Sequence, residues 1–354
     1  MESIIKKIEN QERIELNEAL KLYDLNLLEL GTLADNIRKQ KFGKKSYFNV
    51  NRHINPTNIC KDTCKFCAYS ATRKNPNQYT MKIEEIVDIA KGAWEKGAKE
   101  VHIVSAHNPE VGLNWYLDSF AKVKEALPNI HIKALTAAEI NFLSQEYNLS
   151  FKEVIELMIK NGVDSMPGGG AEIFAEDVRD RICKGKVSSN DWLKIHEIWH
   201  EHGKQSNATM LFGHIESRED RIEHMIRLRD LQDKTGGFNA FIPLVYQREN
   251  NFLKVEKFIS ANEILKTYAI SRIVLDNIEH IKAYWATSTI NLALIAQEFG
   301  ADDLDGTIQK ESIQSAAGAA SANGMQIQEF VDLIKNSGFT PVERDSLYNE
   351  LKVW

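Results

Sequence analysis

Between residues 48 and 305 short apolar runs alternate with amphipathic stretches, and this alternation restricts the architecture more than any other feature of the chain. Candidate strands fall at 48–54, 101–105, 130–136, 163–166, 206–212, 239–245, 280–285 and 302–305. The stretches between them keep helical spacing. Ile83, Ile86, Val87, Ala90, Ala93 and Trp94 recur along one face, and Gly97 closes that helix. Ser150 and Glu153 form a capping box ahead of a helix that Gly162 ends. About eight strands, each followed by a helix, predict an α/β fold of the parallel (β/α)8, TIM-type barrel class. Ahead of it, residues 1–46 carry Leu20, Leu27, Leu28, Leu30 and Leu33 and end near Gly43, which predicts an N-terminal helical extension. The barrel then spans 47–354, with C-terminal helices included.

A chain of 354 residues with 43% hydrophobic content has ample material for one core of this size. The net charge is −6 and there is no basic stripe, which argues against nucleic acid as a partner. Met1 to Lys7 has no apolar leader, and no apolar run is long enough to span a bilayer. A cytoplasmic protein without membrane partners is expected.

Three of the four cysteines, Cys60, Cys64 and Cys67, cluster directly after the first strand in a C-x3-C-x2-C spacing. Four cysteines in a chain of this length do not make a disulfide framework. A structural zinc site needs a second ligand pair downstream, which is missing, although His53 could be a fourth ligand. Three thiolates instead suit three corners of a cubane iron–sulfur cluster, with one iron left open to bind a substrate or cofactor. Cys183, far away in a helical stretch, reads as a small buried apolar residue. An iron–sulfur electron carrier is the alternative of another class, but a carrier needs a fully ligated cluster and no barrel.

The segment Cys60-x3-Cys64-x-Phe66-Cys67 resembles the signature of the radical S-adenosylmethionine (SAM) superfamily. Ser165 to Phe174, Ser206 to Glu216 and Phe241 to Tyr246 are similar to its menaquinone-pathway branch, and within that to the aminodeoxyfutalosine synthase family. The resemblance implies a [4Fe–4S] cluster on Cys60, Cys64 and Cys67, with S-adenosylmethionine as co-substrate. It places Phe66, Tyr69, Ala106, His107, Glu139, Gly168, Gly169, Gly170 and Glu172 against the cofactor. One departure is present: Ser105-Ala106-His107-Asn108 stands where the family commonly has paired glycines. The implied substrate is a small anionic aromatic enol ether, to which the 5′-deoxyadenosyl radical adds. A low-potential reductant such as flavodoxin or ferredoxin is the implied protein partner. The second radical SAM enzyme of the branch, which forms a cyclised nucleoside, is the alternative within the pathway.

The remaining candidates lie on loops after strands, the rim where such barrels carry their chemistry. Gly168-Gly169-Gly170 permits close backbone approach. His214 and Arg248 are the catalytic candidates, Arg248 as a bidentate clamp for a substrate carboxylate. His196-Glu197-Ile198-Trp199-His200 matches the H-E-x-x-H zinc pattern, yet it falls on an outer helix ahead of the fifth strand and lacks the third histidine.

Overall fold

Asn26 opens the longest N-terminal helix by accepting a hydrogen bond from the Leu28 amide at 2.9 Å, and Gly43, at φ +59°, stops it where a side chain would be strained. In the computed structural model, which describes residues 1–71, 76–310, 312–320 and 324–354, the first forty residues form three helices, Glu2–Glu9, Leu16–Leu22 and Leu27–Phe42. Leu30 and Leu33 are buried as their spacing predicts, whereas Leu28 is 71% exposed. Gly31 lets Leu27–Phe42 press on Phe299, since a Cβ there would lie 2.6 Å from its ring.

Among the described residues ten strands follow: β1 (Lys45–Asn49), β2 (Asn51–Ile54), β3 (Glu100–Ile103), β4 (His131–Ala134), β5 (Ser206–Phe212), β6 (Phe238–Val245), β7 (His280–Ile281), β8 (Asp303–Gly306), β9 (Thr340–Arg344) and β10 (Glu350–Val353). They make an α/β fold of three sheets, β2-β3-β4, β5-β6-β7 and β10-β9-β1-β8, in which every pairing is parallel except β9 with β10. The run expected as one strand at 48–54 breaks at Val50. Its first part pairs with β8 and β9, its second with β3. The expected fourth strand, 163–166, is reduced to single bridges, Lys133 with Ser165 and Met166 with Ser206. The capping box of Ser150 and Glu153 is present on the helix Phe151–Lys160.

Beyond β8 the expected helices give way in part to strands. The helix Ile327–Asn336 is followed by β9, which lies against β1, and then by β10. The reason is electrostatic as well as apolar. Arg344, fully buried at the end of β9, bonds Asp303 of β8 at 2.5 Å, and Ser346 bonds Glu100 of β3 at 2.6 Å. Glu100 also takes Lys133 of β4 at 2.7 Å, and Lys282 takes Asp305 at 2.9 Å. Charges between the sheets are thus paired, the condition for burying them.

A second buried pair ties helix to strand. Arg272 on the helix Ala261–Val274 donates to Asp302, to Gly300 O at 2.8 Å and to Glu279 O at 2.7 Å, while His280 Nδ1 bonds Asp302 at 2.6 Å. Burial opposes the Asp302 charge, but His280 and Arg272 outweigh it and hold the carboxyl below its ordinary value of 3.8. Asp302→Asn leaves Arg272 buried without its counter-charge and is expected to cost about 3–5 kcal/mol in urea unfolding at neutral pH. A depressed carboxyl contributes stability that is full above its unfolded pKa and lost as pH falls through the folded one. The gap between wild type and variant should therefore narrow below about pH 4. A gap independent of pH would refute this account.

Candidate active site

The cysteine loop leaves β2, closes on itself and is laced to two neighbouring segments. Ala71 N donates to Asn58 O at 2.8 Å, and Lys65 N to Ile182 O at 2.8 Å. Lys65 O accepts from Phe252 N at 2.7 Å and Leu253 N at 2.9 Å. These bonds hold Cys60, Cys64 and Cys67, all free thiols and half-buried, on the wall of one cavity of about 220 Å³. The same cavity meets Phe66, Tyr69, Ala106, His107, Gly169, Gly170 and Glu172. Seven of the nine cofactor-side candidates are thus brought together with the three cysteines.

Two residues that no motif singled out complete the wall. Asp62 bonds His107 Nδ1 at 2.8 Å, and Cys60 Sγ, an Asp62 oxygen and a His107 nitrogen lie within 4.8 Å of one another, a spacing that can hold a metal. Lys186 bonds Glu172 at 2.7 Å and lies over the Phe66 ring at 5.6 Å. Burial works against the Lys186 charge, but Glu172, with Cys64 and Cys183 behind it, holds its pKa well above the usual lysine value. Burial also pushes the Cys64 thiol above the ordinary thiol range, with Lys186 opposing, and raises Cys60. Three free thiols on one wall are a donor set suited to an iron–sulfur centre, which would bind them as thiolates, so the residues fit such a group. Cys183, remote in sequence, is a neighbour of this wall. It is buried beside the turn at Ile182 and close enough to Cys64 to perturb its titration.

The glycine triplet owes its composition to protein contacts on one side. A Cβ on Gly168 would meet Asn207 O at 2.7 Å and Thr209 N at 2.8 Å, and one on Gly169 would meet Thr136 at 2.7 Å. Gly170 adds φ +90°. Behind the loop, the buried Arg179 donates to the carbonyls of Gly170, Ala171, Ile173 and Val187. Glu139 lies deeper. Its carboxylate accepts from Thr136 N and Ser105 N, each at 2.7 Å, so it caps the helix Ala137–Tyr147 and anchors the loop after β3.

Gly168 faces a second cavity of about 170 Å³ that shares Val104, Thr136, Gly169, Thr209 and Leu244 with the first. His53, His102, Tyr284, Ile242 and Asp305 line its far side. His214 and Arg248 line neither cavity. The His214 ring is enclosed, with Ile215 N donating to Nδ1 at 2.7 Å and Nε2 reaching Leu211 O at 3.1 Å. Burial lowers its pKa, against the pull of the Glu216 carboxylate 3.0 Å from Nδ1. Arg248 stacks on Phe258, 3.7 Å from the ring centroid. In the H-E-x-x-H helix, His196 and His200 both bond the Ser206 hydroxyl, at 2.8 and 2.7 Å, and Trp192, Ile195 and Trp199 are fully buried. Among the described residues no helix is long and apolar enough to cross a membrane.

The profile of the Radical SAM superfamily matches residues 54–228, and that of the CofH/MqnC C-terminal region matches 235–353. The chain is 41% identical over 356 residues to aminodeoxyfutalosine synthase of Thermus thermophilus, covering 99% of this chain and 96% of that one. The chain belongs to the radical SAM superfamily. This radical SAM enzyme is also 36% identical to cyclic dehypoxanthine futalosine synthase of Streptomyces coelicolor, over 96% of this chain and 86% of that one. Its fold matches the crystal structure of methylornithine synthase (PylB) with a TM-score of 0.77 at 17% identity, over 96% and 97% of the two chains.

A raised Cys64 pKa means less thiolate at a given pH. In metal-free protein at about pH 8, alkylation of Cys64 by iodoacetamide should lag that of a free cysteine by more than about tenfold, and Lys186→Met should slow it further. Labelling read by mass spectrometry at the free-thiol rate would contradict the electrostatics described here.

Proposed function

We propose that this chain is a cytoplasmic aminodeoxyfutalosine synthase. It would join the adenosyl part of S-adenosylmethionine to 3-[(1-carboxyvinyl)oxy]benzoate, with rearrangement and loss of the carboxylate, to form 6-amino-6-deoxyfutalosine. The observation that supports this most is the likeness, over nearly the whole length, to the Thermus thermophilus enzyme of that name. In this reading the three sheets are arcs of one (β/α)8 barrel, joined at the bridges of Lys133 with Ser165, Met166 with Ser206 and Lys282 with Asp303. Residues 1–46 are its helical extension, and 47–354 the barrel with its C-terminal elements.

Cys60, Cys64 and Cys67 would hold a [4Fe–4S] cluster that, with bound S-adenosylmethionine, supplies the 5′-deoxyadenosyl radical. The chain's own residues do the rest. Phe66 and Tyr69 flank the cofactor, and Glu172, oriented by Lys186 at 2.7 Å, accepts from its hydroxyl or ammonium donors. Ala106, His107 and the Gly168–Gly170 backbone close the other side, and Glu139 fixes the loop carrying Ser105. The second cavity receives the aromatic substrate against Ile242, Leu244 and Tyr284, where apolar walls exclude water that would quench a radical. His214 and Arg248 support this site by holding the loops after β5 and β6.

A second reading, cyclic dehypoxanthine futalosine synthase, is favoured by the 36% identity to that enzyme. Mass balance separates the two. With adenosyl-labelled S-adenosylmethionine and the enol ether, label should enter a larger, decarboxylated aromatic product. Label recovered only as free 5′-deoxyadenosine, with a cyclised nucleoside formed from the alternative substrate, would install the second reading. Alanine at Cys60, Cys64 or Cys67 should abolish cofactor cleavage and iron loading, whereas Cys183→Ala should keep both. Ile242→Phe narrows only the second cavity, so it should raise KM for the enol ether by about tenfold, ~1.4 kcal/mol, while uncoupled cofactor cleavage persists.

A further inference from the structure

An anion taken out of water has to be paired with a cation or with several hydrogen-bond donors. Among the described residues neither lysine nor arginine lines the second cavity, and the one ionised side chain there is the carboxylate of Asp305. Two imidazoles stand beside it. β2 and β3 pair in register with His53 opposite His102, and both side chains reach the cavity. His102 Nδ1 lies 3.3 Å from His53 Nε2, and the rings meet edge to face, with centroids 4.7 Å apart at 82°. One N–H fills that gap. His102 Nε2 is buried and has no hydrogen-bond partner, a polar atom left open at the wall of a ligand cavity.

The charges packed around this pair cancel. Lys133 of β4 takes Glu100 of β3 at 2.7 Å, Lys282 takes Asp305 of β8 at 2.9 Å, and Arg344 of β9 takes Asp303 at 2.5 Å. Each cation already has its anion. Burial, with His53 and Lys133 acting in the same direction, holds His102 well below the usual imidazole value, while Glu100 and Asp305 pull the other way. His102 is thus uncharged at neutral pH, and a further anion beside it would favour its charged form.

The enol ether of the proposed function carries two carboxylates. Its vinyl carbon has to face the cofactor across the edge that the cavities share, which keeps the vinyl carboxylate near that edge. The ring then carries the other carboxylate to the far side, where the two histidines stand. We propose that His53 and His102 together seat the ring carboxylate and take up one proton from solvent as it binds, so that an imidazolium N–H donates to the anion. The proton returns to solvent when the ligand leaves. The pair is then the device that selects an acid on the ring over a neutral group of the same shape. This rests on the reading of the enol ether as substrate.

The test is anaerobic calorimetric titration of the iron-loaded enzyme with S-adenosylmethionine and no reductant, using the enol ether and its ring carboxamide. Heats taken at about pH 7 in buffers of different ionisation enthalpy count the protons bound, and the acid should bring in about one and the carboxamide about none. A group protonated in the complex and neutral without ligand makes affinity fall as pH rises, so Kd for the acid should grow by up to about tenfold per pH unit while that for the carboxamide stays level. His102→Asn should abolish the uptake and weaken the acid by about tenfold or more. Carboxamide binding that persists in this variant certifies its fold. Wild-type binding of the acid without proton uptake, or equal uptake with the carboxamide, would overturn the seat. Labelled product formed from the enol ether without any uptake removes the histidine seat alone. Absence of both binding and product removes the proposed substrate and the seat with it.

Discussion

The guanidinium of Arg179 holds together the wall on which the site depends. It is buried and spends its donors on backbone carbonyls from two segments, Gly170 to Ile173 and Val187. Burying this cation is expensive, and converging carbonyl dipoles, with Glu176 at 3.9 Å from Nε, are the compensation. Carbonyls converge only if the chain turns sharply, which Gly170 at φ +90° and Glu172 at φ +48° make possible. The turn sets Glu172 opposite Lys186 and lays Gly168 and Gly169 against β5 and the helix Ala137–Tyr147. The shape of both cavities at their shared edge follows from that one side chain.

Much of this was legible in the sequence, because period and spacing report local geometry directly. The capping residues Ser150 and Glu153, most strand positions and the cysteine triplet are features of neighbours along the chain. What escaped notice depends on residues far apart in sequence. Lys186 and Arg179 look like ordinary surface charges on a polar stretch, and only the packing of the turn after Met166 gives them partners. Cys183 read as remote because distance along the chain says nothing about the hydrogen bond from Lys65 to Ile182 that brings it close. His214 and Arg248 stand directly after strands, a position that locates a rim but not the direction a side chain takes from it. The break at Val50 was hidden for a related reason: one unbroken apolar run can serve two sheets in succession.

The two adjoining cavities divide labour by the character of their walls. Sulfur and ammonium groups meet only in the first, while the second sets Ile242, Leu244 and Tyr284 beside the imidazoles of His53 and His102 and the carboxylate of Asp305. Beneath them the charged pairs Lys133–Glu100, Lys282–Asp305 and Arg344–Asp303 take the space that a smaller interior would fill with aliphatic side chains. Such pairs contribute little net stability, yet each fixes a geometry that mismatched partners would penalise.

The place of β1 also bears on how the molecule is made. This strand emerges early in synthesis, but both neighbours in its sheet, β8 and β9, emerge only after most of the chain has been translated. Loop closure of that span makes their pairing a slow, late event. Cys60, Cys64 and Cys67, anchored through β2 to the same stretch, therefore spend translation on an unfinished scaffold, open to oxygen and to stray metal ions. A metal centre built on these thiols would be assembled after release from the ribosome, and a cell making this protein would then have reason to shield the nascent thiols until that point.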